Sequence, residues 1–489
     1  MSRFNNSNPL LILLIALLIL ISVSFIPLNK ISNGFLKDFS FLSDIVPAEE
    51  DSSENVVVAD DNLDPDIAEL LKNEQDNNDS IANNNLTDSI CDDYVYCDTS
   101  IYTEPVIEDY TPNRTGLQHL KMALGHRGSK TVRIAFLGDS HLQADVGSGR
   151  VRELLQENFG NAGRGLICPL KICGTNEPYT YTFSTSTQCI TSRLLKRPWA
   201  TDMGFTGTTF TPQTATFDIT LSTSTTRNPY GSPFDRIRIF ASAPLSVTLV
   251  ANEHNILLTP IVKQSDYYTD ILLSQPVVTA KLTLYSLETV NIYGASLHNG
   301  NYGVEYHTIG NNGATFATYN ELRTVGYDIS HFNPDLVILS LGTNEAFSNI
   351  TNDQLEADID YMIANIRKHN PDAAILLTTP MECQKTKVSY TYTKKRRKKK
   401  RRKVRHTSMV INTKVKQMRD VIIKYADDNN IPVYDFYAVA GGNNASKQWA
   451  ANDLMARDHI HNSYKGYLLQ GDLFYNALIN VLKNYDGNI

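Results

Sequence analysis

The sequence has few cysteines and none of the common metal-binding spacings. Six Cys occur among 489 residues. Neither Cys-x-x-Cys nor His-x-x-x-His appears, so the spacing gives no support for a metal site. A chain of this length is expected to hold one domain of catalytic size with additions.

Positive charge is scarce outside one segment. The net charge is −7, and residues 30–112 carry 21 Asp or Glu against three Lys. Residues 394–403 are ten consecutive Lys or Arg, and the rest of the body is nearly neutral. A nucleic-acid-binding domain usually spreads Lys and Arg over a face. Only this basic run supports nucleic-acid binding, so nucleic acid is a disfavoured partner.

Long apolar runs are also scarce, and the one clear example is N-terminal. Residues 9–28 are apolar except for Ser22 and Ser24, and about 20 apolar residues suffice to span a bilayer as a helix. We expect residues 1–29 to be an uncleaved signal anchor in the inner membrane, with a cleaved signal peptide as the alternative. Either predicts an exported body, attached to the membrane in the first case.

Residues 30–112 lack the apolar content of a folded domain. They are rich in Asp, Asn, Glu and Ser, so we expect an acidic disordered tether. Export permits disulfides, and the simplest pairs are Cys91 with Cys97 and Cys168 with Cys173, although sequence cannot establish pairing.

A candidate nucleophile follows the first buried strand. Residues 132–137 are apolar apart from Arg133, and residues 145–159 have helical spacing. Between them lies Gly-Asp-Ser-His with Ser140. A strand that ends in a glycine turn before a helix places Ser140 at the carboxyl edge of a parallel sheet, where open α/β folds carry their sites.

A candidate base lies near the C-terminus. Asp458 and His461 stand three residues apart before an amphipathic helix. At that spacing a carboxylate can hold the imidazole at Nδ1 while Nε2 faces a serine. His459 competes with His461 but lacks the spacing to Asp458.

Two further stretches could stabilise an oxyanion. Gly313 has a backbone N–H that a ligand can approach closely, since glycine has no Cβ. Residues 336–341 form another apolar strand, which leads to Gly-Thr-Asn with Asn344, whose amide is a suitable donor. Gly310 is a rival to Gly313.

These blocks, in this order, resemble the SGNH/GDSL hydrolase superfamily. The resemblance covers residues 113–163 and 297–489 and implies a three-layer, flavodoxin-like α/β hydrolase domain. It makes Ser140 the nucleophile, His461 the base and Asp458 its orienting partner. The N–H groups of Ser140 and Gly313 and the Asn344 amide then form the oxyanion hole, and no cofactor is needed.

The sequence departs from the family pattern at two positions. His141 stands where Leu is common, and Glu345 follows Asn344 where Asp is frequent. Gly-Asp-Ser-His followed by Leu-Gln-Ala-Asp is similar to an exported subgroup that includes peptidoglycan O-acetylesterases. That resemblance implies an esterase of the periplasmic or extracytoplasmic envelope, acting on an acetylated glycan. An O-acetyltransferase and a non-catalytic glycan-binding protein are the alternatives, and the oligomeric state is not indicated.

An insertion separates the first two blocks. Residues 164–296 hold short alternating stretches, typical of a β-sandwich. The alternating apolar residues are Phe217/Ile219/Leu221, Ile237/Ile239, Leu245/Val247/Leu249, Leu282/Leu284 and Val290/Ile292. This insert resembles the carbohydrate-binding-like module of the same subgroup, and a purely structural insert is the alternative.

The remaining chain alternates between helix and strand. We expect helices over 352–369 and about 409–427, strands over 374–379 and 431–436, and a final helix. The basic run then lies in a loop, residues 384–406, leaving the carboxyl end of a core strand. We expect this loop to be solvated and disordered. Its functional interpretation is an electrostatic collar for anionic polymer or for the acidic tether.

Overall fold

A computed structural model describes residues 99–126, 128–226, 231–394 and 401–485. The predicted anchor, most of the tether, the pair Cys91/Cys97 and residues 395–400 of the basic run lie outside these ranges. Within them, no helix combines the length and the apolar character needed to cross a bilayer.

The described chain consists of a mixed sheet flanked by helices, two further β-sheets and a long hairpin. The strands are β1 (Ile107–Glu108), β2 (Thr131–Gly138), β3 (Gly165–Ile167), β4 (Thr182–Ser184), β5 (Cys189–Arg193), β6 (Thr208–Pro212), β7 (Thr216–Ser222), β8 (Phe234–Ala241), β9 (Ser246–Ala251), β10 (Ile261–Gln264), β11 (Tyr268–Val277), β12 (Thr279–Tyr285), β13 (Ile292–His298), β14 (Gly303–Gly310), β15 (Leu336–Ser340), β16 (Ala374–Thr378), β17 (Gln384–Lys394), β18 (Arg401–Ile411) and β19 (Val433–Tyr434). The α-helices are α1 (Gln118–Gly125), α2 (Ser140–Gln143), α3 (Gly147–Phe159), α4 (Phe316–Asn320), α5 (Val325–Ser330), α6 (Asn352–His369), α7 (Lys414–Asp428), α8 (Phe436–Val439), α9 (Ala445–Ala451) and α10 (Tyr464–Asn484).

The central sheet has the strand order of a flavodoxin-like fold. Its order is β1-β19-β16-β15-β2-β14, and all pairs are parallel except β1 with β19. Numbered by appearance in the chain, the parallel strands run 2-1-3-4-5, an order that reverses between β2 and β15. The predicted fold class is confirmed.

The last residues assigned to the tether are part of the fold. Strand β1 pairs with β19 at the edge of the central sheet, and Ile101 and Ile107 are buried in a hydrophobic core of the α/β domain. The disordered segment expected over 30–112 therefore does not extend to residue 112. Two isolated apolar side chains can be buried when their segment pairs with the edge of a sheet. The acidic composition of the segment does not reveal such a pairing.

Side chains of β2 alternate between two cores, which makes the domain three-layered. Ala135 and Leu137 pack in a cluster that includes α6 and α7. Ile134 and Phe136 pack in a second cluster that includes α3 and α10. Because both faces are covered by helices, the strands read as continuous apolar runs.

The helix predicted over 352–369 has those bounds, and its sequence explains them. Thr351 and Gln354 form a capping box at its start. Five apolar side chains at helical spacing are buried, namely Leu355, Ile359, Met362, Ile363 and Ile366. Basic residues occupy the last turn, where the helix dipole favours positive charge.

The insert is a two-sheet structure that enters and leaves the α/β domain on neighbouring strands. One sheet has the order β10-β11-β8-β13-β6-β5 with β3 also on β13, and the other has the order β4-β7-β12-β9. Gly165 pairs with Leu297 across the β3–β13 ladder. The ends of the insert therefore lie side by side, which lets an α/β domain accept a long insertion.

The apolar alternation predicted for the insert holds at most positions. Phe217, Ile219, Leu221, Ile237 and Ile239 are buried between the sheets, as are Leu282, Leu284, Val290 and Ile292. Leu249 is exposed, and the inward alternation predicted for Leu245/Val247/Leu249 is wrong there. The reason is that β9 is an edge strand of the smaller sheet, with a register shift against β12.

The prediction of a loop over 384–406 is wrong for its described residues. Strands β17 and β18 pair in antiparallel register from Gln384–Ile411 to Lys394–Arg401. The register partners of the basic positions in β18 are mostly Thr or Tyr of β17, so two basic positions rarely stand directly opposite each other. Strand β18 also explains why α7 begins at Lys414 and not near 409.

The predicted Cys168/Cys173 disulfide is also wrong, because both thiols are free. Cys168 packs in a hydrophobic core of the α/β domain, whereas the Cys173 Sγ donates to the Thr209 carbonyl at 3.4 Å. Burial raises the pKa of each thiol to about 12, which makes them poor nucleophiles.

Candidate active site

Ser140 lies where the strand order of the central sheet reverses. It begins α2 and is separated from the end of β2 by Asp139 alone. A Cβ at Gly138 would stand 2.6 Å from the Ser340 carbonyl oxygen at the end of β15, so only glycine lets the two strands approach there. Asp139 caps α2 by accepting a hydrogen bond from the His141 N–H.

Asp458, His461 and Ser140 form a continuous chain of hydrogen bonds. The Asp458 Oδ2 lies 2.6 Å from the His461 Nδ1, and the His461 Nε2 lies 2.7 Å from the Ser140 Oγ. An ionised carboxylate only accepts, so it places the imidazole proton on Nδ1 and leaves Nε2 as the acceptor for the serine hydroxyl.

The Asp458 carboxylate is held by its own loop. Its Oδ1 accepts the backbone N–H groups of Ile460 and His461 at 2.9 and 3.0 Å. Burial opposes ionisation, but these hydrogen bonds and His461 keep the pKa of Asp458 below its ordinary value. The carboxylate is therefore charged at neutral pH and able to orient the imidazole.

His459, the competing histidine, makes different contacts. Its φ of +54° turns the chain through the left-handed region, and its carbonyl accepts the Gln384 N–H at the base of the hairpin. The Nδ1 of His459 is buried and has no hydrogen-bond partner among the described residues. The structure thus brings His461, and not His459, to Ser140.

The two glycine candidates for an oxyanion hole differ in their surroundings. A Cβ at Gly310 would stand 2.4 Å from the Gln143 backbone nitrogen, whereas a Cβ at Gly313 would meet only the Leu195 Cγ at 3.7 Å. Gly310 is therefore packed closely against α2. Gly313, with φ of +79°, has room for a ligand beside it.

Asn344 lies beside the Gly313 turn. Its Nδ2 donates to the Ala314 carbonyl at 3.0 Å and approaches the Asp139 Oδ2 at 3.3 Å. The second contact is long, so an incoming oxyanion would compete with it for the same N–H.

Two buried carboxyls support this edge, and sequence reasoning missed their importance. Glu345 accepts the backbone N–H groups of Phe316 and Gly342, both at 2.9 Å. Burial raises the pKa of Glu345 to about 7 and that of Asp139 to about 6, against the hydrogen bonds that favour ionisation. The sequence signal that could have indicated a special role for position 345 is that Glu stands there, where Asp is frequent.

His141 forms a second layer behind His461. Its ring centroid lies 5.1 Å from that of His461, and its Nδ1 lies 3.1 Å from the Tyr467 hydroxyl. Burial, followed by the nearby His461, lowers the pKa of His141 to about 3. At neutral pH its ring is uncharged and does not repel a protonated His461.

The insert contributes directly to the edge of the site. The side-chain Nε2 of Gln143 donates to the Asn176 Oδ1 at 2.6 Å, and its Oε1 accepts the Asn312 N–H at 2.8 Å. Asn176 belongs to the insert and Asn312 precedes Gly313. No group of three or more His, Cys, Asp or Glu in the described part of the chain is arranged to hold a metal ion.

A family model matches the end of the insert and most of the chain that follows it. The GDSL-like Lipase/Acylhydrolase family model matches residues 285–469, a span that contains Gly313, Asn344, Asp458 and His461 but not Ser140. No curated protein matches the sequence.

A solved structure shares the fold over most of the chain. The structure described as "Peptidoglycan O-acetylesterase in action, 5 min" is 21% identical, with a TM-score of 0.59 over 77% of this chain and 99% of that one. A lipase/acylhydrolase from Enterococcus faecalis is 22% identical over 36% of this chain and 77% of its own, with a TM-score of 0.26. Residues 285–469 therefore match the GDSL-like Lipase/Acylhydrolase family model, and the described chain shares its fold with the peptidoglycan O-acetylesterase structure.

Proposed function

We propose that the protein is an exported serine esterase that removes O-acetyl groups from a cell-envelope glycan, with peptidoglycan as the first substrate to test. The observation that carries the catalytic part is the hydrogen-bonded chain Asp458–His461–Ser140 at the strand-order reversal. The substrate class is supported by the fold shared with the peptidoglycan O-acetylesterase structure over nearly all of that chain.

The acylation step follows from the positions of the three side chains. The Ser140 Oγ attacks the ester carbonyl carbon while the His461 Nε2 takes the hydroxyl proton. Charge develops on the carbonyl oxygen, and we assign its stabilisation to the N–H groups of Ser140 and Gly313 and to the Asn344 amide. The tetrahedral intermediate then breaks the bond to the sugar oxygen, which leaves with the proton from His461.

Deacylation reverses these roles with water. His461 takes a proton from water as the water oxygen attacks the acetyl carbonyl carbon, and the bond to the Ser140 Oγ breaks. The proton returns to the serine and acetate leaves. Asp458 stays ionised throughout and stabilises the imidazolium form of His461.

The remaining domain assignments belong to the same proposal. Residues 113–163 and 297–489, together with β1, form the hydrolase domain, and residues 164–296 form an insert that borders the site through Asn176 and Leu195. Export, and anchoring through residues 1–29, rest on the N-terminal apolar run.

Replacement of the nucleophile tests the assignment. Ser140→Ala should lower kcat for p-nitrophenyl acetate by at least about 10³-fold without shifting thermal unfolding. Ser330→Ala is a matched control, because Ser330 ends α5 ahead of the amino-terminal end of β15. Full activity of Ser140→Ala would refute the assignment, and acetate release from acetylated peptidoglycan by the wild type tests the substrate class.

A further inference from the structure

A second cleft lies between the insert and the hydrolase domain, away from Ser140. Its volume is about 550 Å³, and its walls come from β8, β10, β11 and β13 of the insert and from β2 and β14 of the central sheet. We call it the basic cleft and define it by Arg133, Arg236, Arg238, Lys263, Ser296 and His307.

The charge of the basic cleft is predominantly positive. Four Arg or Lys side chains line it together with two acidic ones, Asp270 and Glu305. Arg238 binds the Asp270 carboxylate through two nitrogens, at 2.7 and 2.9 Å. The Arg133 Nε donates to Glu305 at 2.9 Å. Both acids are therefore already neutralised by partners within the cleft.

The side-chain N–H groups of Arg236 and Lys263 are not used in hydrogen bonds to other described residues. The Arg236 Nε lies 3.7 Å from the Asp235 Oδ1, which is too long for a hydrogen bond. Lys263 is exposed, and its side chain makes no hydrogen bond or ion pair with any other described residue. An anion in the cleft would pair with both without breaking a hydrogen bond, and it would compete only with the 3.7 Å ion pair between Arg236 and Asp235.

The strand register places these two cations on one face of the insert sheet. Lys263 pairs with Asp270, which pairs with Arg238, and Arg236 stands two residues before Arg238 on β8. Positions two apart on a strand share a face, and neighbouring strands lie about 4.8 Å apart. Arg236 and Lys263 are therefore two strands apart and offset by two residues along the strands, which separates their Cα atoms by about 12 Å. Their long side chains can reach a common anion from opposite sides.

Buried polar groups at the wall also lack partners. The Ser296 Oγ and both ring nitrogens of His307 are buried without a hydrogen bond among the described residues, and each residue is 0% exposed. The nearest carboxylate oxygen, on Glu305, is 3.8 Å from the His307 Nε2. Unpaired buried polar groups cost free energy, and a small adjustment that pairs them with a ligand would recover it.

The His307 ring is held in place and is neutral. It stacks on Phe332, with ring centroids 4.0 Å apart and planes inclined by 14°. Burial lowers its pKa to about 4, although Glu305 opposes the shift. A neutral imidazole offers one donor and one acceptor, which suits a hydroxyl or an amide more than a second carboxylate.

We propose that the basic cleft binds a carboxylate-bearing saccharide. Arg236 and Lys263 pair with the carboxylate, while Ser296 and His307 pair with a neighbouring hydroxyl or amide. The choice of an envelope saccharide as the carrier of the carboxylate rests on the proposed function. The preference for an anion rests on the cleft itself.

The position of the cleft makes it a second contact point on a polymer. Arg133 precedes Ser140 along β2 by about 23 Å, at roughly 3.3 Å per residue. A saccharide bound there does not overlap the reacting ester. Two contacts on one chain raise the effective concentration of the second, so the cleft should lower the KM for a polymeric glycan.

Calorimetric titration of the full chain tests the binding. The Ser140→Ala background prevents turnover, and the probes are N-acetylmuramic acid and N-acetylglucosamine, which differ by one lactyl carboxylate. We expect heat of binding for the first sugar, weakened by added salt, and none for the second at the same concentrations. Equal binding of the two sugars, or no binding of either, would overturn the inference. Lactate binding as tightly as N-acetylmuramic acid would overturn the saccharide part.

Variants locate the site. Arg236→Gln with Lys263→Gln should weaken binding of N-acetylmuramic acid at least about tenfold, on the order expected for hydrogen bonds to charged groups. Lys447→Gln with Lys483→Gln removes the same charge from exposed positions on α9 and α10 and should have no effect. Ser296→Ala should weaken binding severalfold without lowering thermal stability, since it removes an unpaired buried hydroxyl. Unchanged binding in the Arg236/Lys263 variant would refute the location.

The esterase assay separates this inference from the proposed function. In the active background, the Arg236/Lys263 variant should keep the wild-type kcat for p-nitrophenyl acetate and show a raised KM for the polymer. An active enzyme whose KM for the polymer does not change would refute only the role of the cleft. A wild type that fails to hydrolyse either ester would refute only the proposed function.

Discussion

Replacing Asp458 with Asn moves one proton on the imidazole of His461 and should abolish its action as a base. The carbonyl of the new side chain can still accept the two backbone N–H groups that the Asp458 Oδ1 now accepts, so the loop keeps its shape. The amide nitrogen then replaces Oδ2, which lies 2.6 Å from the His461 Nδ1. Because an amide nitrogen only donates, it moves the imidazole proton to Nε2, which then cannot accept from Ser140.

The size of the effect follows from this tautomer change. The equivalent substitution in serine proteases lowers kcat by about 10⁴-fold, and we expect about 10³- to 10⁴-fold here, or about 4 to 5.5 kcal/mol in the barrier. The measurement is kcat for p-nitrophenyl acetate, with the unfolding temperature recorded for the same samples.

A matched variant distinguishes the loss of His461 orientation from the mere loss of a negative charge nearby. Asp453→Asn removes an exposed carboxylate five residues earlier and should keep full activity. If Asp458→Asn retained kcat within about tenfold of the wild type at an unchanged unfolding temperature, Asp458 would not be the residue that orients His461.

Three further outcomes are expected. Burial raises the pKa of Glu345 to about 7, so its contribution to stability is complete below about pH 4.5, the ordinary pKa of a glutamate, and is lost as the pH rises through 7. The free energy of unfolding of the wild type, measured in urea, should therefore be about 2 to 3 kcal/mol larger at about pH 5 than at about pH 8 because of this group. Glu345→Gln should lack this difference, and equal pH slopes for the two proteins would contradict the prediction. A double-mutant cycle of His141→Leu and Tyr467→Phe should give a coupling of about 1 kcal/mol in unfolding free energy from their hydrogen bond, and additive effects would show that the bond contributes nothing. Replacing Lys385, Lys387 and the basic residues of 394–405 with Thr should raise the KM for anionic glycan polymer, more at low salt, and leave the KM for p-nitrophenyl acetate unchanged; equal changes for both substrates would argue against electrostatic capture.

Local patterns were sufficient where neighbours in sequence are neighbours in space. The capping box at Thr351 and Gln354 and the apolar spacing that follows define α6 because the 3.6-residue period repeats along one element. Asp458 and His461 were predictable as a pair for the same reason, since both lie in one short turn.

Local patterns failed where two effects compete within one segment. The basic run predicted a solvated loop because like charges repel. Its pairing partner carries alternating Thr, Tyr and Val, a β-forming composition that the charge count ignores. The Cys168/Cys173 prediction failed similarly, because proximity in sequence does not bring the two thiols together when they pack in different surroundings.

The sequence by itself determined the Gly-Asp-Ser-His and Asp-x-x-His motifs, the alternation of helix and strand in the α/β domain and the β character of the insert, because each depends on a short motif or on a period of two or about 3.6 residues. Only the tertiary structure decided how distant residues meet. The pairs Arg133/Glu305 and His141/Tyr467 are 172 and 326 residues apart in the chain. Their contacts, and with them the basic cleft and the layer behind His461, arise from the strand order of the sheet and from the packing of the insert against it, which no local pattern encodes.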